Sequence, residues 1–385
     1  MGPPKSQTKP VPILLVAQEL TQGGSERQLT EITKALDRSR FAPRVAVFRA
    51  GGMRFEELRS YGVRLEVFPF SSFWSPGMLR AAGQMRRYLR TEKIQLVHSF
   101  DLPGTIFATP VARAAGVPVV LSSQRTHRQL ASRAAHALLR ITDRLVDGTV
   151  TNCQVMARHM IEDEHVDPRK VQVCYNGLDG ARFHPAPRIR KAELTHASVV
   201  AGVVCALRPE KDLLTLLEAF SRVRGQHPGF HLVFIGDGPV RAQLEQRRRE
   251  LGLQREITLI SSTAEVDSWL RSIDIFVLPS KSEALSNALM EAMGCGCAVV
   301  ASRVGGNVEL IEHGERGLLF AAGDAGDLET QLRHLMDYPA DRQRLAAAGC
   351  SFIHQSFTLE AAAQRMGEIY GQHLARAGGW PPGPA

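Results

Sequence analysis

At 385 residues the chain exceeds the roughly 250 to 300 residues at which single cores stop growing, and it suits two α/β domains. Composition (44% apolar, 22% charged) excludes a disordered chain, no apolar run reaches the roughly 20 residues of a membrane-spanning helix, and six scattered cysteines without a C-x-x-C pair exclude a disulfide scaffold. The net charge of +8 is split, with 28 Lys/Arg against 16 Asp/Glu through residue 190 and 19 against 23 after it, so an anionic partner is expected for the first half: nucleic acid, a phosphorylated substrate or an acidic membrane face.

The ends, "MGPPKSQTKP" and "GGWPPGPA", read as tails, and "ILLVA" after Pro12 is too short for a signal-peptide core, which predicts a cytoplasmic protein. From Pro12 onward, β-branched runs alternate with helical periodicity: "PILLVAQ", "SERQLTEITKALD", "RVAVFRA", "RFEELRSYG", "RLEVFPF", "MLRAAGQMRRYLRTE", "LVHSF" and onward to "KVQVCYNG". Apolar rather than alternating strands predict a parallel sheet covered on both faces, a Rossmann-like domain over residues 11–185. Polar residues and prolines at 179–198 mark a linker. A second series, from "SVVAGVVCAL" through "FHLVFIG", "EITLISS", "IFVLPS" and "CAVVAS" to "GLLF", predicts another such domain over 196–355, followed by a helix over 356–376. Two doubly wound domains facing across a cleft hold ligands in the loops after their strands.

The stretch "SEALSNALMEAMGCGCAVVAS" (282–302) follows a strand expected to end near Ser280. "NALMEAMG" holds about two helical turns before glycines 294 and 296 stop it. The amides at its start, near Ser286, Asn287 and Ala288, together with the helix dipole, favour phosphate. Glu283 and Glu291, eight apart, accept hydroxyl hydrogen bonds on either side. Two hydroxyl acceptors beside a phosphate site suit a nucleotide sugar.

This stretch resembles the E-x7-E signature of the retaining glycosyltransferases of family 4, which have the GT-B fold, and "VGGNVELIEHGERGLLF" (304–320) continues the pattern. "QGGSERQL", "YNGLDGARFHP", "ALRPEKDL" and "IGDGP" follow in the expected order, so the resemblance covers about 12 to 375. It implies that Arg208 and Lys211 neutralise the departing diphosphate, and that Glu283, Leu285, Ser286, Asn287 and Glu291 surround the donor, Glu283 on the transferred sugar and Glu291 on the ribose. It implies that Gly23 and Gly24 face the cleft from the other domain, the alternative being an ordinary tight turn. The last helix is expected to cross back to the first domain.

Gly236 and Gly238 in "IGDGPV" lack a third fingerprint glycine, Arg241 standing there, and read as a closely packed turn. His98, Asp101 and His127 follow strands of the first domain. A histidine there can orient a sugar or move a proton, and it can equally be a satisfied structural histidine. Relatives carry a histidine at the end of the strand that here reads "VVLSSQR", where this chain has Gln124 and Arg125, so His127 as the catalytic histidine has a rival in Arg125 for sugar or phosphate contact. Asn176 and Gly177 read as a supporting turn, and Glu309 divides between ligand contact and solvent. The segment 125–144 mixes five arginines with Leu, Ile and Ala, either a face for anionic lipid or a solvated helix face.

No D-x-D and no His/Cys cluster at metal-ligand spacing occurs, which predicts a metal-independent reaction. The expectation is a retaining glycosyltransferase with a UDP- or GDP-linked donor as substrate, no cofactor, a lipid-linked or glycan acceptor in cell-envelope synthesis, no nucleic acid partner, and peripheral contact with the inner membrane face. The alternatives are a GT-B sugar-nucleotide epimerase and a non-catalytic nucleotide or polyanion binder.

Overall fold

The computed structural model describes residues 9–21, 23–73, 75–125, 133–187 and 189–378. The chain divides into two compact units, Met1–Gly177 with Leu359–Ala385, and Leu178–Thr358.

The first unit contains β1 (Val11–Ala17), α1 (Gly24–Ala35), β2 (Phe41–Val47), α2 (Met53–Ser60), β3 (Arg64–Val67), α3 (Pro76–Thr91) and β4 (Leu96–Ser99). It continues with α4 (Leu102–Ala115), β5 (Val119–Gln124), α5 (Arg133–Leu145), β6 (Gly148–Thr151), α6 (Gln154–Glu162) and β7 (Val171–Val173). All seven strands are parallel, in the order β3-β2-β1-β4-β5-β6-β7. The unbroken apolar run of β1 follows from its place inside the sheet. Ile13 and Leu15 enter the core on one face, while Leu14 and Val16 enter the core on the other, against α3 and α4.

The second unit contains β8 (Val199–Val204), α7 (Leu213–Arg224), β9 (Phe230–Ile235), α8 (Arg241–Glu250), β10 (Ile257–Ile260), α9 (Val266–Arg271) and β11 (Ile275–Leu278). After these come α10 (Asn287–Gly294), β12 (Ala298–Ser302), α11 (Asn307–Leu310), β13 (Leu318–Phe320), α12 (Ala325–Asp337) and α13 (Pro339–Ser356). The six parallel strands run β10-β9-β8-β11-β12-β13. Leu178 and Thr358, the unit's first and last residues, form a parallel bridge. The chain then returns to the first unit as α14 (Leu359–Arg376), whose Met366, Ile369, Tyr370 and Leu374 join the core that holds Ile13 and Leu15.

Each sheet reverses its winding once, between β1 and β4 and between β8 and β11. At such a switch the loops after the two strands diverge to opposite faces and leave a crevice at their carboxyl ends. In the second unit those loops carry residues 205–212 and 279–286. All six cysteines are free; five are buried and Cys205 is half-buried. No helix among the described residues is long and apolar enough to cross a membrane.

Candidate functional site

The loop after β8 makes a single 3-10 turn at Pro209–Lys211 and ends on Asp212, which takes a left-handed conformation (φ 47°) before α7 starts. The loop after β11 lies alongside, the Lys281 amide donating to the Glu210 carbonyl at 2.8 Å and the Lys281 ammonium pairing with Asp212 at 3.1 Å. The juxtaposition brings Lys211 onto Glu283: Lys211 Nζ donates to Glu283 Oε1 at 2.5 Å, and Ser280 Oγ donates to the same oxygen at 2.6 Å. Both side chains are mostly buried, with 19% and 10% exposure. Burial alone would lower the Lys211 pKa, but the adjacent Glu283 carboxylate outweighs it and holds the ammonium above its ordinary 10.5. Arg208 differs: it is exposed, and its guanidinium has no hydrogen bond or ion pair among the described residues.

α10 begins at Asn287, with Ser286 as its N-cap accepting the Leu289 amide at 3.3 Å. Its amino end therefore stands next to the Lys211–Glu283 pair, separated from Glu283 only by Ala284 and Leu285. Glu291, on the second turn, is buried at 4% exposure. Gly294 closes the helix, Gly296 takes φ 79°, and β12 follows at once. Glu309, in the first turn of α11, is half-buried.

Close main-chain contacts hold these loops. A Cβ on Gly236 (φ 141°) would stand 1.9 Å from the Cys205 carbonyl oxygen, and one on Gly238 would stand 2.4 Å from that of Leu207. "IGDGP" is thus a brace under the loop that carries Arg208, and Leu207 further exchanges hydrogen bonds with Asp237 and Val240. Arg241 pairs with Asp237 and Glu245. Gly305 (φ 49°) lies against the Glu283 loop, where a Cβ would come within 1.8 Å of the Glu283 carbonyl oxygen, and the Gly306 amide donates to Ala284.

In the first unit, Gly23 is the N-cap of α1 and Gly24 its first residue, one position before the expected opening at Ser25. The Glu26 carboxylate folds back against Gly23, within 2.8 Å of where a Cβ would sit, so the helix's own anion occupies its amino end. His98 is fully buried, bonded through Nδ1 to the Tyr370 hydroxyl (2.7 Å) and through Nε2 to Ser123 Oγ (2.9 Å). Burial, and next the charge of Arg125, push its pKa well below the usual 6.5, and it is a neutral core histidine. Asp101 caps α4, accepting the amides of Gly104 and Gln18 at 2.6 Å each, and burial raises its pKa to about 6. Gln28 clasps the backbone of Gly177 in both directions (3.2 and 3.1 Å), and Arg125 donates to Asn176 Oδ1 at 2.7 Å. His127 lies outside the described residues, as does the 126–132 part of the arginine-rich segment.

Sequence reasoning missed Ser280, the Lys281–Asp212 pair, Gln28 and the role of Gly305. Ser280 acts within its own loop, three residues from Glu283, and the others act through contacts 22 to 149 residues away whose partners no local spacing specifies.

Two doubly wound parallel-sheet units, the second carrying a cation–carboxylate cluster beside a helix amino end at its switch point, define the GT-B class. The crystal structure of the Anabaena protein HepE in complex with UDP-glucose superposes with a TM-score of 0.82 over 94% of this chain and 99% of that one, at 20% identity. Residues 22–182 match the family model "Glycosyltransferase Family 4" and residues 187–351 match "Glycosyl transferases group 1". The chain belongs to the glycosyltransferases of the family 4 type. It is 31% identical over 198 residues to a lipopolysaccharide core biosynthesis glycosyltransferase of Rhizobium meliloti, covering 51% of this chain and 56% of the relative. It is 26% identical over 269 residues to the UDP-Gal:alpha-D-GlcNAc-diphosphoundecaprenol alpha-1,3-galactosyltransferase of Escherichia coli, covering 65% and 68%. The chain spans about half the length of the first curated relatives it matches, 38%, 56% and 57% for three of them.

Proposed function

We propose that this chain is a retaining glycosyltransferase that moves a sugar from a nucleotide-diphosphate sugar to an acceptor hydroxyl, in polysaccharide, glycolipid or other cell-envelope glycan synthesis. The observation that carries the reading is Arg208, exposed and without an ion pair among the described residues, beside the Lys211–Glu283 pair at the switch point and next to the amino end of α10. A diphosphate there meets two cations and a helix dipole, so charge developing on the leaving group is stabilised without a metal ion. Lys211 shifting toward the phosphate frees Glu283 to accept hydroxyls of the transferred sugar, while Glu291 serves the ribose.

In the reaction the bond from the anomeric carbon to the diphosphate oxygen breaks, and a bond to the acceptor oxygen forms on the same face. The acceptor's proton passes to the departing phosphate, giving a nucleoside diphosphate and the glycoside. A UDP-linked donor is favoured by the UDP-glucose complex of the structural neighbour, with GDP as the alternative base, and a lipid-linked acceptor by the relative acting on a diphosphoundecaprenol sugar. A peripheral contact with an anionic membrane draws support from α3, α4 and α5. These helices pack in series and carry eight arginines against one acid, Asp143, with Leu79, Leu138 and Ile141 exposed.

The test is incubation with UDP- and GDP-sugars, with and without a diphospholipid-linked acceptor, with the anomeric configuration of the product read by NMR. Transfer with retention is expected. Inverted product or a trapped covalent glycosyl-enzyme overturns the mechanism, and an epimerised donor formed without acceptor overturns the reaction type.

A further inference from the structure

Arg125 follows β5 directly, at the carboxyl edge of the first unit's sheet, among elements that end on that same edge. Its guanidinium donates to the neutral amide of Asn176 after β7 and lies over the Phe100 ring after β4, 5.1 Å from the centroid. Among the described residues its Nε is buried without a hydrogen-bond partner, and no carboxylate pairs with it. One neutral hydrogen bond and one ring contact do not offset taking a guanidinium out of water. A glutamine could donate to Asn176 as well, so that hydrogen bond does not require the charge. Burial pulls the Arg125 pKa down, and the groups that pull it back are Cys174 and Tyr370 rather than an Asp or Glu. One strand over, at the end of β6, Asn152 presents a second buried polar atom without a partner, Oδ1, which accepts a hydroxyl. A fixed cation with no carboxylate partner among the described residues, at the ligand edge of a doubly wound sheet in the basic half of the chain, suits an anionic ligand.

We propose that Arg125 binds a phosphate group of the acceptor, so that the acceptor class is a phosphate-bearing molecule and the first unit holds an anion site separate from the donor diphosphate site at Arg208 and Lys211. The inference rests on the glycosyltransferase reading for the word acceptor, but the anion site is measurable without turnover.

The experiment is calorimetric titration of the full chain with inorganic phosphate, decyl phosphate and uncharged decyl glucoside, on wild type, Arg125→Gln, Arg125→Lys and Arg208→Gln. Two phosphate sites are expected in the wild type. Arg125→Gln should weaken one by about tenfold or more, Arg125→Lys less, and Arg208→Gln should weaken only the other. Decyl phosphate binding tighter than inorganic phosphate at the Arg125 site assigns a lipid phosphate, and equal affinity assigns a small phosphorylated acceptor. Phosphate binding unchanged in Arg125→Gln overturns the proposal. Should that variant not fold, the Nε–H resonance missing from the Arg125→Lys spectrum is followed in the wild type, and its failure to move with phosphate overturns the proposal equally. If no donor is turned over while the Arg125 site binds phosphate, the transferase reading fails and the anion site stands.

Discussion

Replacing one member of the Lys211–Glu283 pair should destabilise the second unit, and replacing both should not. The two side chains retain 19% and 10% exposure and meet at 2.5 Å. Stripping one partner from a fully buried pair costs about 3–5 kcal/mol, and the residual exposure here brings the figure to about 2–3 kcal/mol for Lys211→Met or Glu283→Leu alone. At about 2–4 °C per kcal/mol for a unit of this size, the melting transition should fall by roughly 4–12 °C. The double variant joins two apolar side chains and should lie within about 1 kcal/mol of wild type, leaving a coupling free energy of roughly 3 kcal/mol or more. The Lys211 pKa is higher folded than unfolded, so its contribution is full below 10.5 and is lost only as pH rises through the folded value. The single-variant deficit should therefore be flat from about pH 6 to 9. Calorimetry and urea titration measure it, while donor turnover should vanish in all three variants even where the double variant regains stability. A double variant as unstable as the sum of the singles would refute the argument that each residue is the other's buried counter-ion.

Gly305→Ala sets a Cβ 1.8 Å from the Glu283 carbonyl at φ 49° and should cost about 2–4 kcal/mol and most turnover, read by urea midpoint and initial rate; an unchanged midpoint would contradict the close approach. Asp101 has a folded pKa of about 6, above the unfolded 3.8, so it favours the fold fully below 3.8 and loses that contribution as pH rises through 6. The unfolding free energy of wild type minus Asp101→Asn should accordingly grow by up to about 3 kcal/mol from pH 7 to 4. Leu138→Asp with Ile141→Asp, both exposed on α5, should abolish co-sedimentation with anionic vesicles and leave the melting temperature within about 2 °C; retained sedimentation would remove α5 from the membrane contact.

The alternation of β-branched runs and helical periods made both sheets legible in the sequence, because buried parallel strands such as β1 must be apolar on both faces. The short helix between Ser286 and Gly294 was legible too, from its cap and its glycines. The Lys211–Glu283 contact was not, since it joins residues 72 apart through the adjacency of β8 and β11, a matter of strand order that periodicity does not encode. The point where the first unit ends was equally hidden. Composition shifts at 179–198, but the contacts divide at Gly177 and Leu178, where Gln28 clasps the first from 149 residues away and Thr358 bridges the second. His98 illustrates the converse: read from the sequence as following a strand, like a functional histidine, it lies inside β4, where the Tyr370 hydroxyl of the last helix and Ser123 Oγ hold it in the interior.

Because Gly236 and Gly305 grip the carbonyls of Cys205 and Glu283, the two switch-point loops are registered by backbone against backbone. Their outward side chains can therefore be exchanged one at a time without dislodging the frame, whereas lengthening either loop by a single residue would throw that registration out. A scaffold of this kind tolerates altered loop side chains by point substitution and resists altered loop length.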